Sequence, residues 1–152
     1  MSAVSATVLG AVAPALLVAH QVADHWVQTD HQATHKGHRG VVGRLACLRH
    51  VATYTATTAL AVGVVWWLAG LPVHPVPFVA GQVLSALTHY WADRRAPLAW
   101  LIRVTGRARF AALGAPRPGR DDNPGLGTGM YTLDQSFHWL WLWVAALVTA
   151  VS

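Results

Sequence analysis

The sequence predicts an all-α fold, an integral membrane four-helix bundle with both termini extracytoplasmic. Three observations lead there. The composition is 54% hydrophobic and 11% charged, where a soluble domain carries about 25% charged residues. The apolar residues collect into four runs, most near the roughly 20 residues that a helix needs to cross a bilayer core. All eleven Lys and Arg residues fall in, or at the edge of, just two of the connections between those runs. The formal charge of +5 would suit nucleic acid. The basic residues, however, are dispersed between apolar runs rather than set in a stripe with aromatic side chains, so no nucleic acid partner is expected. The single Cys47 excludes an internal disulfide.

The whole chain, residues 1–152, reads as one transmembrane domain. The first span runs from Ser5 to Val27, and Pro14 within it is tolerated in a membrane helix. Its N-terminal flank lacks a basic segment and no convincing cleavage site follows, so it reads as a retained span rather than a signal peptide. Residues 28–44 form a polar connection. His31 and His35 there share the i,i+4 spacing, and with His25 and His38 they read as a solvated stretch, loose metal delivery being the alternative. The second span runs from Leu45 to Leu71, followed by a tight turn with Pro72, His74 and Pro75. The third, Val76 to Ala92, is short. The connection 93–130 is rich in Arg and ends in Gly/Pro sequence from Pro116 to Gly129. Within it, Leu98 to Leu113 reads either as an amphipathic helix in the membrane interface or as a solvated basic loop. Gly125, Gly127 and Gly129 either let the backbone fold over a site or simply connect. The fourth span, Tyr131 to Val151, opens on Thr132-Leu-Asp134-Gln135. This is the pattern of a capping box, with Thr132 at N-cap and Gln135 at N3, and it would set Asp134 against the positive helix N-terminus. The pair Trp66/Trp67 and Trp139, Trp141 and Trp143 read as lipid-facing or belt residues.

Orientation follows from the basic residues. Lys36, Arg39, Arg44 and Arg49 belong to the first connection and its edge; Arg94, Arg95, Arg103, Arg107, Arg109, Arg117 and Arg120 belong to the third. None lies at either terminus or in the short turn. The positive-inside rule therefore puts both basic connections in the cytoplasm, and the chain is expected to be a multi-pass protein of a bacterial inner membrane.

On that topology one motif stands out: His89-Tyr-Trp-Ala-Asp93. Residues four apart lie on one helix face, so both can reach one object. The spacing recurs at His20/Asp24 and, reversed, at Asp134/His138, with Gln28 one turn beyond Asp24. His50 stands near the start of the second span, with Tyr54 one turn deeper. All of these fall at the cytoplasmic ends of their spans. A carboxylate within a span costs on the order of 2.5–3.5 kcal/mol on insertion scales, less near the interface. Three of the six acidic residues sit there beside a His, and there is no Glu at all. Imidazole plus carboxylate suits transition metals rather than Ca or Mg. The expected metal ligands are His20, Asp24, His50, His89, Asp93, Asp134 and His138, holding one or two divalent ions of Zn, Mn or Fe. Two bridged ions are a common device for phosphoester hydrolysis. The competing reading is a buried hydrogen-bonded network, at about 0.6 kcal/mol per bond in membranes.

The ordered set His20-x3-Asp24-x3-Gln28-Thr29, His50, His89-x3-Asp93, then Gly127-Thr-Gly-x-Tyr131-x2-Asp134-Gln135-x2-His138 covers nearly the whole chain. It resembles a family of small bacterial and phage membrane proteins of unknown function, which implies the four-helix fold and the importance of these residues. It is similar, more distantly, to the membrane-bound metal-dependent hydrolases of bacterial inner membranes, which implies metal-dependent hydrolysis.

The function expected from this reading is a metal-dependent hydrolase acting on a phosphoester or lipid-linked substrate at the cytoplasmic leaflet. Asp24, Asp93 or Asp134 would serve as general base, and Gln28, Tyr54, Tyr131 and Gln135 would orient ligands or substrate. The basic connections would draw anionic lipid headgroups, and a four-span unit of this size is suited to pairing with a second copy. The alternatives from other classes are a metal-ion or proton transporter using the same ligands, and a structural or accessory membrane protein.

Overall fold

A computed structural model of the chain describes residues 2–115 and 128–151. Among these residues the regular structure is entirely helical, without a strand. Helix α1 (Ala3–Val22) runs on through one π-helical turn, Ala23–Val27. There follow α2 (Asp30–His35), α3 (Gly40–Ala69), α4 (Pro75–Asp93), α5 (Ala96–Val104), α6 (Ala108–Ala111) and α7 (Gly129–Thr149). Among the described residues, two helices, Ala3–Val27 and Gly40–Ala69, are long and apolar enough to cross a membrane.

The four long helices pack in a ring: α1 on α3 and α7, and α4 on α3 and α7. Each contributes an inward stripe at helical spacing. On α1 it is His20, Leu16, Val12 and Val8; on α3, His50, Tyr54, Thr58 and Val62; on α4, His89, Ser85 and Gln82; on α7, His138, Leu142, Ala145 and Thr149. All of these are buried. Helices α1 and α4 run toward the histidines and α3 and α7 run away from them, so each helix delivers one imidazole to the same layer. Helices α4 and α7 approach closely: a Cβ on Gly81 would lie 2.3 Å from the Thr149 hydroxyl and 2.8 Å from the Ala145 carbonyl. Small residues of this kind let helix backbones approach.

The ends of the helices correct several sequence expectations. α7 starts earlier than Tyr131, because Thr128 is its N-cap and accepts from the Tyr131 amide at 3.2 Å. Thr132 and Gln135 therefore lie inside the helix rather than forming a capping box, and Asp134 stands beyond the first turn. Gly129 beside Thr128 lies so close to α6 that a Cβ there would strike the Phe110 carbonyl. A capping box does exist at Thr29 and Gln32, opening α2. Helix α3, at the expected second span, begins at Gly40, before Leu45. The polar connections are not featureless. α5 buries Leu98 and Ile102 in a cluster with Trp91, Leu133 and Phe137, so the first half of the Leu98–Leu113 stretch is a packed helix, not a solvated loop. Of the expected belt residues, Trp67 is exposed, whereas Trp66 is half-buried with its ring against Phe78. Gly125, Gly127, Pro116, Arg117 and Arg120 lie outside the described residues.

Candidate metal centre

The site forms where the histidine layer of the four long helices meets the connections. His50 Nε2 and His89 Nε2 stand 2.9 Å apart. Asp93 Oδ2 lies 3.1 Å from the first and 3.2 Å from the second. Asp24 Oδ1 lies 3.4 Å from His50 Nε2 and 3.5 Å from His89 Nε2. Each carboxylate oxygen thus lies against the same two imidazole nitrogens, and His50, His89 and Asp93 form one group able to share an ion. Ligands about 2.0–2.1 Å from a transition metal are separated by about 2.9 Å at right angles and about 3.3 Å at the tetrahedral angle. The observed separations have that size.

Hydrogen bonding accounts poorly for the same cluster. One Nε2–H can serve a single acceptor at a time. Asp24 Oδ1 and Asp93 Oδ2, although close to both rings, are buried without a hydrogen bond, as are His20 Nδ1, His50 Nδ1, His89 Nδ1 and His138 Nε2. Proximity at unfavourable angle leaves the two carboxylate oxygens unpaired beside the two Nε2 atoms, while His50 Nδ1 and His89 Nδ1 are unpaired at the other ring nitrogen. A buried polar atom left unpaired costs about 1–3 kcal/mol, so the arrangement calls for a guest.

Asp24 reaches the centre because it sits on the π-helical turn, where the Gln28 amide bonds to the Ala23 carbonyl at 2.9 Å. Such single-turn bulges often re-aim side chains at functional sites. Behind it, His20 Nδ1 lies 3.5 Å from Asp24 Oδ2, and His20, Asp24 and His89 form a second group able to share an ion. The Gln135 side-chain oxygen lies 3.3 Å from His20 Nε2 and accepts from Gln21 at 3.1 Å. That acceptor assigns the proton of His20 to Nε2 and leaves Nδ1 a lone pair. His138 Nδ1 lies 2.9 Å from the Asp134 carbonyl, which likewise frees its Nε2. The His138 ring stands 4.4 Å from that of His89 and 5.2 Å from that of His20. The layer is floored by Tyr54, whose ring stacks on His89 at 3.8 Å while its hydroxyl pairs with Ser85 at 2.7 Å.

All seven residues expected as ligands are therefore neighbours, but they are not equivalent. His50, His89, Asp24 and Asp93 make the tight cluster; His20 and His138 flank it. Asp134 is set apart, its side chain 30% exposed on the wall of a cavity of about 330 Å³ that Tyr131 also lines. His31 stacks on His35, which meets His38 edge-on, and His74 stands at the opposite end, at the N-cap of α4.

Lys36 is the residue that sequence reasoning missed. Its ammonium lies 2.9 Å from Asp93 Oδ1, with the side chain 13% exposed. With its amide oxygen turned to Lys36, Gln28 accepts from it at 2.9 Å and donates to the Asp24 carbonyl at 3.1 Å. Arg94 holds the Lys36 and His38 carbonyls at 2.5 and 2.6 Å, and Arg95 holds that of Ala33 at 3.1 Å. The Asp93-Arg94-Arg95 run thus supplies a donor to the centre and clamps the loop that caps it. Arg95 does so with φ +59°, a conformation uncommon for a non-glycine residue. One signal was available: Lys36 is the single Lys among eleven basic residues. A compact ammonium, unlike a guanidinium fork, acts as a point charge.

These features define a helical protein with a buried His/Asp cluster at one end. The chain belongs to the DUF3307 family, described as proteins of unknown function, which it matches over residues 12–152. No curated protein and no solved structure matches it.

Proposed function

We propose that the chain is a membrane-embedded metal-binding protein, a four-helix bundle with both termini extracytoplasmic, that works as a metal-dependent hydrolase at the cytoplasmic leaflet of the bacterial inner membrane. The observation that carries the metal reading is the set His50, His89, Asp24 and Asp93, whose four donor atoms lie 2.9–3.5 Å apart in the pairs given above while the two carboxylate oxygens lack hydrogen bonds. His20 and His138 supply the further donors a second ion would need. Support for the membrane reading comes from the outward faces as well: α4 exposes Val76, Val79, Val83 and Leu87, and α7 exposes Trp139, Leu140 and Trp143, residues that water would not favour.

A bound divalent ion would supply Lewis acidity toward a phosphoryl or acyl oxygen and a water of lowered pKa. The protein's own groups do the rest. Lys36 balances Asp93 and, with Gln28, fixes its orientation. Gln135 fixes the His20 tautomer. Asp134, standing off the cluster on the cavity wall, is placed to accept a proton from a nucleophile. The distant resemblance to membrane-bound metal-dependent hydrolases agrees with this assignment.

A transport reading has one observation in its favour: polar pairs continue inward, Tyr54 with Ser85 and Thr58 with Gln82 at 2.9 Å. The column then meets Val8 and Val62, buried in the apolar cluster, which argues for a site open on one side. Liposome flux of zinc or manganese that His89→Ala abolishes would reverse this ranking. The first step of the proposal is tested by metal analysis of detergent-purified protein never exposed to chelator. One or two transition-metal ions per chain are expected, lost in His89→Ala. Background metal that added zinc, manganese or iron does not raise would sink the proposal.

A further inference from the structure

The cavity beside the cluster is lined by two carboxylates, Asp93 and Asp134, and two cations, Lys36 and Arg95, with Thr128 and Tyr131 from the start of α7; Lys36 is itself paired with Asp93. Its volume, about 330 Å³, suits a small polar group rather than an acyl chain. We infer that this cavity receives a phosphate-type oxyanion, seated on Lys36 and Arg95 beside the metal. The inference rests on the metal-binding reading and names the chemistry of what that site accepts.

Charge decides the ligand's sign. A divalent ion balances Asp24 and Asp93, leaving Lys36 and Arg95 against Asp134 alone, one positive charge in excess. Without the ion, three carboxylates face two cations. Arg94, turned to the loop carbonyls behind Lys36, adds to the positive side in both states. The donors on the cavity lining differ in kind: an ammonium that also serves Asp93 and Gln28, a guanidinium that spends one Nη on Ala33, and the Thr128 hydroxyl, whose oxygen caps Tyr131 and whose proton has no acceptor among the described residues. A tetrahedral oxyanion with several acceptor oxygens uses such a set better than a planar carboxylate, and an Arg fork matches phosphate geometry. The helix N-terminus adds a favourable dipole. Anion and metal binding are then coupled, and by linkage each strengthens the other equally.

The test begins with zinc-loaded protein in detergent, freed of excess metal, its zinc content measured before and after. Inorganic phosphate is titrated by calorimetry, and nanodiscs with phosphatidic acid are compared with phosphatidylcholine alone. Phosphate binding that weakens at least tenfold on metal removal, and again in Arg95→Gly at unchanged zinc content, is the expected result. Glycine accepts the positive φ at this position, and Arg95→Lys should recover part of the binding. Stronger capture of phosphatidic acid than of free phosphate makes the source a lipid headgroup; the reverse makes it a soluble phosphoester. Zinc-loaded protein that binds neither, or binds equally without metal or with Arg95→Gly, overturns this inference and leaves the metal reading standing. Protein that takes up no zinc overturns both.

Discussion

The interior of the helix ring has two halves that handle buried polarity in opposite ways. In the layers around Thr58 and Ser85, polar side chains are matched: Tyr54 with Ser85, Thr58 with Gln82, and Thr149 with the Ala145 carbonyl. In the histidine layer, one turn away, six buried side-chain atoms have no hydrogen-bond partner among the described residues. The same helices and the same neighbours build both halves, so packing alone does not explain the difference. A network made to hold helices together looks like the first half. Two carboxylate oxygens left unpaired beside two imidazole Nε2 atoms look like an ion site.

That contrast breaks most sharply at the cluster. Removing a ligand, by His89→Ala or Asp93→Ala, should reduce metal affinity by more than the roughly 10–100-fold typical of outer groups, measured as metal content after dialysis and as loss of hydrolytic activity. Chelation should come next in size. Wild-type protein should lose thermal stability when stripped and regain it with zinc, by about 2.7 kcal/mol at a hundredfold excess over Kd; equal melting with and without metal would count against the site. Thr58→Val paired with Gln82→Leu sharpens the other half. Each single change should cost about 0.6–1.7 kcal/mol and the pair less than their sum, with metal content unmoved. Metal lost in that double variant would mean that the two halves are one network. The smallest effect belongs to the helix cap. Thr128→Ala should destabilise by about 1 kcal/mol, while Thr132→Ala should be nearly silent, as read by thermal unfolding.

Much of the site was legible in the sequence because it is built from local spacing. His20/Asp24, His89/Asp93 and Asp134/His138 announce themselves at i,i+4, and the distribution of basic residues predicts that they share one end of the bundle. What was not legible depends on contacts between distant residues. Lys36 reaches Asp93 because Arg94 and Arg95 grip backbone carbonyls of its loop, and a carbonyl has no sequence signature. The true cap at Thr128 was hidden behind a better-looking box at Thr132, since the close approach of Gly129 to Phe110 is a tertiary fact. The π-helical turn that aims Asp24 leaves no pattern either. Nor does spacing alone separate Asp134, on the cavity wall, from Asp24 and Asp93 within the cluster.

The central claim is that His50, His89, Asp24 and Asp93 hold a transition metal. Anomalous diffraction from crystals grown without chelator, with metal content measured on the same preparation, tests it most directly. The account predicts an anomalous peak about 2.0–2.2 Å from His50 Nε2, His89 Nε2 and the two carboxylates. A site in which these four groups are joined by protons or water, with metal at background, would contradict it.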